Sequence, residues 1–506
     1  MKGVNMSKVF SEVFATYSFF RSLIICLVLA LLLLSCSGGG DSQSQNNAPN
    51  EAKYISASWV IIGTDSIGGN QAIARVATSY ISPTGEAVCP NITIDGFISQ
   101  MTMRVVAGLM PLRSTDYQPS VAANFPVSVC ETVLPLTAKV ASIAGQSIPL
   151  PKKSPDRVLL FGDTGCRMDT TTLQNCDDPS SWPFSNLAKI GAQLAPDLVI
   201  HMGDYQYREV PCSSSGGCPT DVNSPWGYGW DTWQADFFTP AAPLLEKAPF
   251  VLVRGDHEIC TRGGQGWFRF LDPNSYTQLR SCNNASNDTI ANYSSTYAVD
   301  LGRGSRLVVY DSSDVSTGST VSDPNNNYYQ QFMQAFSLAS NPIYTNTIFI
   351  NHHPILAYNI PKSKSVPPGN VTLQGVMNSV MGYLYPSAAV NSYYPSSISM
   401  AFHAHVHSMQ AINFSNTGTT YPATIVSGGG GNELADAFPT TSPPFYTKDT
   451  VAPGLNPSNM IWNNNFGFAL LERIGESAFW KYTLYDKTGN VFAVCTQSGR
   501  QLNCSN

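Results

Sequence analysis

All seven histidines of this 506-residue chain lie between positions 201 and 407. They are His201, His257, the pair His352 and His353, and the row His403, His405 and His407. The segments that hold them read VIHMGDYQY, VRGDHE, FINHHP and AFHAHVH, with FGDTG ahead of them at 161–165. Imidazole is the commonest neutral metal ligand, and carboxylates beside it suit iron, zinc or manganese better than magnesium. A chain with no site to build would scatter its histidines. Their clustering predicts a metal centre assembled from the ends of several strands.

Spacing sharpens the expectation. Asp163, Asp204 and Asp256 each follow an apolar run and a glycine. The glycine permits a sharp turn that leaves the carboxylate at the strand end. One Gly-Asp step is commonplace, because Asp caps helices and turns; three in the same setting are not. His403, His405 and His407 alternate by two, so they share one face if the segment stays extended. By the same argument His353 points away from His352, and only one of that pair is expected at the site. His201 and His403 are equally well explained as packing residues.

The elements that would position these groups follow from apolar periodicity. RVLLFGD, DLVIHMGD, PFVLVRGD, RLVVYDSS, TIFINHHP, ISMAFHAHVH and ATIVSGGG read as strands, and SNLAKIGAQLA and YYQQFMQAFSLAS as helices. Such alternation predicts an α/β layered domain with its functional side chains at strand ends. We assign this domain to 155–506, with FGFALLERI, WKYTLYD and VFAVC as a β finish. Residues 55–150 alternate apolar and polar positions between turn signals and read as a small all-β domain. The stretch 208–248, with Trp226, Trp230 and Trp233, reads as a loop that could wall a pocket. Gly428 to Gly431 read as a structural turn.

The apolar run 23–34, LIICLVLALLLL, is too short for a membrane span, which needs about 20 residues, and suits a signal-peptide core. It ends Leu33-Leu34-Ser35-Cys36, which resembles a bacterial lipobox. Residues 1–36 are therefore expected to be a lipoprotein signal peptide, with Cys36 lipidated and membrane-anchored. Residues 37–54 open with a Gly/Ser/Asn-rich stretch and form a flexible tether. The expected location is the bacterial cell envelope, at the outer membrane or facing the periplasm. Ten cysteines follow Cys36 and no two are spaced CxxC. In an oxidising compartment they imply disulfides. Neighbour pairing gives Cys166–Cys176, Cys212–Cys218, Cys260–Cys282 and Cys495–Cys504, leaving Cys89 with Cys130. Charged residues make up only 12% of the chain and the net charge is −6, so no basic face suggests nucleic acid. No phosphate-binding GxxxxGK[ST] loop, GxSxG elbow or HExxH zinc motif occurs.

Taken in order, GDTG, GDYQY, GDHE, NHHP and AHVH resemble the five motifs of the calcineurin-like metallophosphoesterases. They are most similar to the purple acid phosphatase branch, whose pattern is GDxG, GDxxY, GNH(E/D), VxxH and GHxH. The resemblance spans about 157–430 and implies a layered β-sandwich flanked by helices. It implies two metal ions, ferric iron with iron, zinc or manganese. Asp163, Asp204, Tyr207 and His407 would hold one ion. Asp204 would bridge to the other, held also by Asp256, His352 and His405. His257 would be the catalytic group near the leaving oxygen. The implied reaction is hydrolysis of a phosphate-ester substrate by attack of a metal-bound hydroxide. An acid-phosphatase-like phosphomonoesterase is the leading expectation. A phosphodiesterase, a nucleotide hydrolase or a non-catalytic binding lipoprotein are the rivals. Two positions depart from the pattern: Ala404 replaces a glycine, and Asp256 replaces the family's Asn and adds a negative charge to the centre.

Overall fold

Successive side chains of the strand Arg157–Phe161 are buried on opposite sides: Val158 and Leu160 join one apolar cluster, Leu159 and Phe161 another. A strand with no polar face must be covered on both sides, and this governs the architecture. The computed structural model describes residues 51–115, 117–212, 224–315, 327–358, 369–414, 421–435 and 451–505. They form two large sheets packed face to face.

The larger sheet has eleven strands. At its centre Arg157–Phe161, Leu198–His201 and Phe250–Leu252 run parallel. Antiparallel strands Gly467–Arg473, Trp480–Asp486, Val491–Ser498 and Gln501–Ser505 extend one edge. The other edge continues through Ile55–Thr64, Asn70–Thr78, Ser128–Leu134 and Thr102–Val105. The smaller sheet has seven strands, of which Ser305–Val309, Asn346–Ile350, Ile398–His403 and Ala423–Ser427 are parallel. Leu160, Ile200 and Val251 from one sheet meet Leu307, Ile348 and Phe402 from the other in the cluster between them. The helix Phe184–Gln193 covers the outer face of the larger sheet through Phe184, Leu187 and Ala188. Asn327–Ala339 and Val371–Leu384 cover the smaller one through Phe332, Phe336, Leu373 and Val376. This is the α/β layered sandwich expected from the sequence.

Residues 55–150 are all-β in their described regular elements, as expected, and four of their strands continue the larger sheet, pairing with the edge of the parallel core that would otherwise stay open. The tryptophan-rich insertion does not simply form a pocket wall. Trp230 and Trp233 lie in the short helix Trp230–Trp233 and are buried in the outer cluster beside Trp59 and Phe270. Large aromatic surfaces in a strand-to-strand excursion gain more from core burial than from solvent.

Four expected disulfides are present: Cys89–Cys130, Cys166–Cys176, Cys260–Cys282 and Cys495–Cys504. Cys212 is disulfide-bonded, and its expected partner Cys218 lies outside the described residues. The segment 1–50, with the apolar run and Cys36, also lies outside them. No helix among the described residues is long and apolar enough to cross a membrane.

Charged side chains fasten the N-terminal strands to the helix that follows the third motif. Glu131 accepts Arg75 Nε at 2.9 Å and Arg104 Nη1 at 3.0 Å. The same two guanidinium groups donate to the carbonyls of Phe270 and Phe268, at 2.8 Å each, in the helix Gly264–Phe270. Burial, reinforced by the neighbouring Arg104, lowers the pKa of Arg75 to about 9, so Glu131 is the counter-charge that keeps the pair tolerable. Replacing Glu131 by Ala strands two buried cations. The expected loss is about 2 kcal/mol, less than for a fully buried pair because Glu131 is partly exposed. Denaturant unfolding measures it, and an unchanged midpoint would show that this tie carries no stability.

Candidate metal centre

Each parallel strand that ends at the site hands over to a sharply bent loop. Asp163 (φ 56°) and Asp204 (φ 60°) occupy the left-handed region, which costs a non-glycine residue free energy. Between His201 and Asp204 the turn includes Gly203 at φ 100°, where a Cβ would lie 2.6 Å from His352 Nδ1. Gly255 packs so closely on Asp204 that a Cβ there would overlap the carboxylate. These approaches draw together the loops after Leu198–His201, Phe250–Leu252 and Asn346–Ile350. Glu258 locks two of them by accepting the backbone N–H groups of Asp204 (3.0 Å), Tyr205 (2.9 Å) and Gly255 (3.0 Å). Burial, and then the charge of Asp204, pushes the Glu258 carboxyl up to about 8.

Two sets of donor atoms result, and they share Asp204. Around the Tyr207 hydroxyl lie Asp163 Oδ1 at 3.0 Å, Asp204 Oδ2, and His407 Nε2 at 3.3 Å. Asp204 Oδ2 is also 3.2 Å from His352 Nε2. Asp256 Oδ1 completes the second set, 3.1 Å from His352 Nε2 and 3.0 Å from His405 Nδ1. One ligand atom from each of Asp204, Asp256, His352 and His405 lies within 4.8 Å of the others. Hydrogen bonds to backbone carbonyls orient two rings. His352 Nδ1 lies 2.7 Å from the Met202 carbonyl and His407 Nδ1 lies 2.6 Å from that of Glu433, which turns both Nε2 atoms inward. All seven expected ligands therefore reach one place.

The electrostatics favour cations there. Burial opposes ionisation of Asp256, but His405 and His352 hold its carboxyl well below the usual carboxylate range. Burial likewise opposes charge on His352, and Asp204 and Asp256 outweigh it to raise its pKa. Burial together with Asp163 and Asp204 pushes the Tyr207 phenol well above its ordinary value, so a phenolate here requires a cation beside it. Carboxylates gathered this closely, with imidazoles turned toward them, form a donor set that fits transition-metal ions.

Other placements depart from the sequence reading. The histidine row does not stay on one face. Its strand ends at His403, His405 takes φ 62°, and the His405 N–H donates to Asp163 Oδ2 at 2.8 Å. His405 and His407 turn into the site, whereas His403 stays behind it, fully buried, its pKa lowered by that burial to about 3. His201 is also buried, lowered to about 3 by burial and stacked on Tyr205. Nor does His353 point away. The strand stops at Ile350, and the turn that follows sets the His353 ring 4.2 Å from that of His405, with Nε2 3.9 Å from Asp256 Oδ1. His257 donates its N–H to Asp204 Oδ1 at 3.0 Å and lays its ring against Tyr207, centroids 3.7 Å apart. Sequence reasoning missed Glu258, although it closes the GDHE segment, and Arg262, for which spacing offered no signal. A cavity of about 790 Å³ with Lys152, Arg306 and Tyr344 in its lining lies by Leu198 and Pro249, at the opposite ends of these strands, and is not part of the centre.

The calcineurin-like phosphoesterase family matches residues 156–409, half of the chain and all five motif segments. This chain belongs to that family and is a metal-dependent phosphoester hydrolase. No curated protein matches it. Among solved structures, a purple acid phosphatase, PPD1, from yellow lupin (Lupinus luteus) seeds is similar with a TM-score of 0.52 at 14% identity, covering 86% of this chain and 73% of its own. PhoD is similar with a TM-score of 0.49 at 11% identity, covering 89% and 91%. The lupin enzyme supports the fold alone, and the second likeness is too slight to argue from.

The close contact at Gly255 has a measurable consequence. Gly255→Ala is expected to displace the Asp204 carboxylate and weaken metal binding roughly tenfold or more. Metal content after equilibrium dialysis measures it; unchanged stoichiometry and affinity would show that Asp204 is not a ligand.

Proposed function

We propose that this protein is a dinuclear-metal phosphomonoesterase acting outside the cytoplasm. The observation that carries the reading is the sharing of Asp204 by two donor sets: Asp163, Tyr207 and His407 on one side, Asp256, His352 and His405 on the other. Two ions held by these residues would supply Lewis acidity at the phosphoryl oxygens and would lower the pKa of the attacking water. The chain's own groups do the rest. Asp204 would be shared by the two ions, since its Oδ2 lies beside both donor sets. The carbonyls of Met202 and Glu433 fix the two imidazoles before any ligand arrives, so no reorganisation is needed. His257, held by its backbone to Asp204, gives a proton or hydrogen bond to the leaving oxygen. The disulfides fit an oxidising compartment. In this reading residues 1–36 are a lipoprotein signal, Cys36 the membrane anchor, 37–54 a tether, and 155–506 the catalytic part, braced by the strands of 55–150.

The test is hydrolysis of p-nitrophenyl phosphate, with bis(p-nitrophenyl) phosphate as the diester control, after loading with iron plus zinc or manganese. Metal-dependent turnover of the monoester, reduced roughly a hundredfold or more in His405→Ala, is expected. Preference for the diester would redirect the assignment to a phosphodiesterase, and no turnover with any metal would overturn it. Ferric iron beside Tyr207 would give the loaded protein a visible phenolate-to-iron charge-transfer band that Tyr207→Phe removes. A fully active protein without that band would exclude iron at this position.

A further inference from the structure

Asp256 stands where the resembling family carries a neutral Asn, and the structure shows what faces it. One oxygen, Oδ1, points at His352 and His405. The other, Oδ2, accepts Arg262 Nη1 at 3.0 Å. Nη1 also reaches the Asp256 carbonyl at 3.3 Å, and Nη2 lies 2.6 Å from His257 Nδ1. The remaining donor, Nε, is taken by Glu209 at 2.6 Å. Glu209 is itself buried, two residues beyond Tyr207, and receives the Tyr228 hydroxyl at 3.2 Å. The guanidinium is well fixed, with 11% of its side chain exposed against 25% for Asp256. Its turn is anchored two residues earlier by the Cys260–Cys282 disulfide and by the Gly263 N–H to the His257 carbonyl at 2.9 Å.

An amide at 256 could not make this arrangement. With its oxygen turned to the histidines, its NH2 would face the guanidinium, donor against donor. A carboxylate divides cleanly: one oxygen serves the centre and the other accepts a guanidinium N–H from Nη1. We propose that Arg262 is the charge-compensating positioning residue of this centre. It holds Asp256 to a single inward oxygen and offsets the charge that Asp adds, so that the pair stands in for a neutral Asn. This rests on the phosphoesterase reading above, but it concerns metal and anion affinity and can fail separately.

The test is a mutant cycle of Arg262→Gln, Asp256→Asn and the double variant on the folded protein, with two readouts. One is zinc affinity by competition with a chromophoric chelator; the other is binding of inorganic phosphate to the zinc-loaded protein by calorimetry. Removing Arg262 leaves Asp256 uncompensated, so zinc is expected to bind about fivefold tighter and phosphate about tenfold weaker. Asp256→Asn on that background is expected to return both to within about threefold of the parent. A purely structural role would weaken both ligands in Arg262→Gln and show no rescue by Asp256→Asn, and that result overturns the proposal. If Arg262→Gln does not fold, Arg262→Lys is read instead. It keeps the charge but not the planar set of N–H groups that reaches Asp256, His257 and Glu209 together, and is expected to preserve phosphate binding within about threefold while zinc affinity is unchanged; a larger loss of both overturns the proposal. Absence of turnover in the parent would sink the phosphoesterase reading and leave these affinities interpretable.

Discussion

Asp204 is buried, strained at φ 60°, and touched from three directions by groups of the centre: the Tyr207 hydroxyl, the His352 imidazole and the His257 backbone N–H. Its carboxylate sits among those of Asp163 and Asp256, and burial makes such crowding costly unless positive charge lies between them. The surrounding structure holds these like charges in place. Glu258 clamps the backbone on either side of Asp204, two carbonyls aim the imidazoles, and the sheets behind leave the loops little room to relax. The strain is distributed over backbone angles and close glycine contacts, which is how a site can be organised before its ions arrive.

The layered sandwich supplies the necessary geometry. Two sheets with parallel centres place the carboxyl ends of their strands side by side, so that residues more than two hundred apart in sequence, such as Asp163 and His405, become neighbours. The N-terminal strands contribute indirectly. By pairing with the strand Phe250–Leu252 and fastening Arg75 and Arg104 to the helix Gly264–Phe270, they brace the segment that carries Asp256, His257 and Arg262. The N-terminal all-β region thus buttresses the third motif.

Much of this was legible in the sequence because it is written in local signals. Apolar runs ending in Gly-Asp located the strands and their carboxylates, and two-residue spacing drew attention to His405 and His407. Where the reading failed, it extrapolated a local rule past the end of an element. His403, His405 and His407 would share a face only in an unbroken strand, and His353 would oppose His352 only in one as well. Both strands stop short, and the turns redirect the side chains. Arg262 was invisible for another reason: its role depends on Glu209 and Asp256, which only the fold brings to it. The pairing of residues 55–150 with the larger sheet was not legible, because strand pairing is non-local and alternation tells that a strand is half-covered without telling by what.

The claim on which everything else rests is that Asp204 lies between two metal ions. Anomalous diffraction from crystals of the loaded protein, recorded on either side of the iron and zinc absorption edges, tests it directly. The expected result is two peaks about 3.5–4 Å apart, flanking Asp204, one nearest Asp163, Tyr207 and His407 and the other nearest Asp256, His352 and His405. A single peak, or metal bound away from Asp204, would contradict the account.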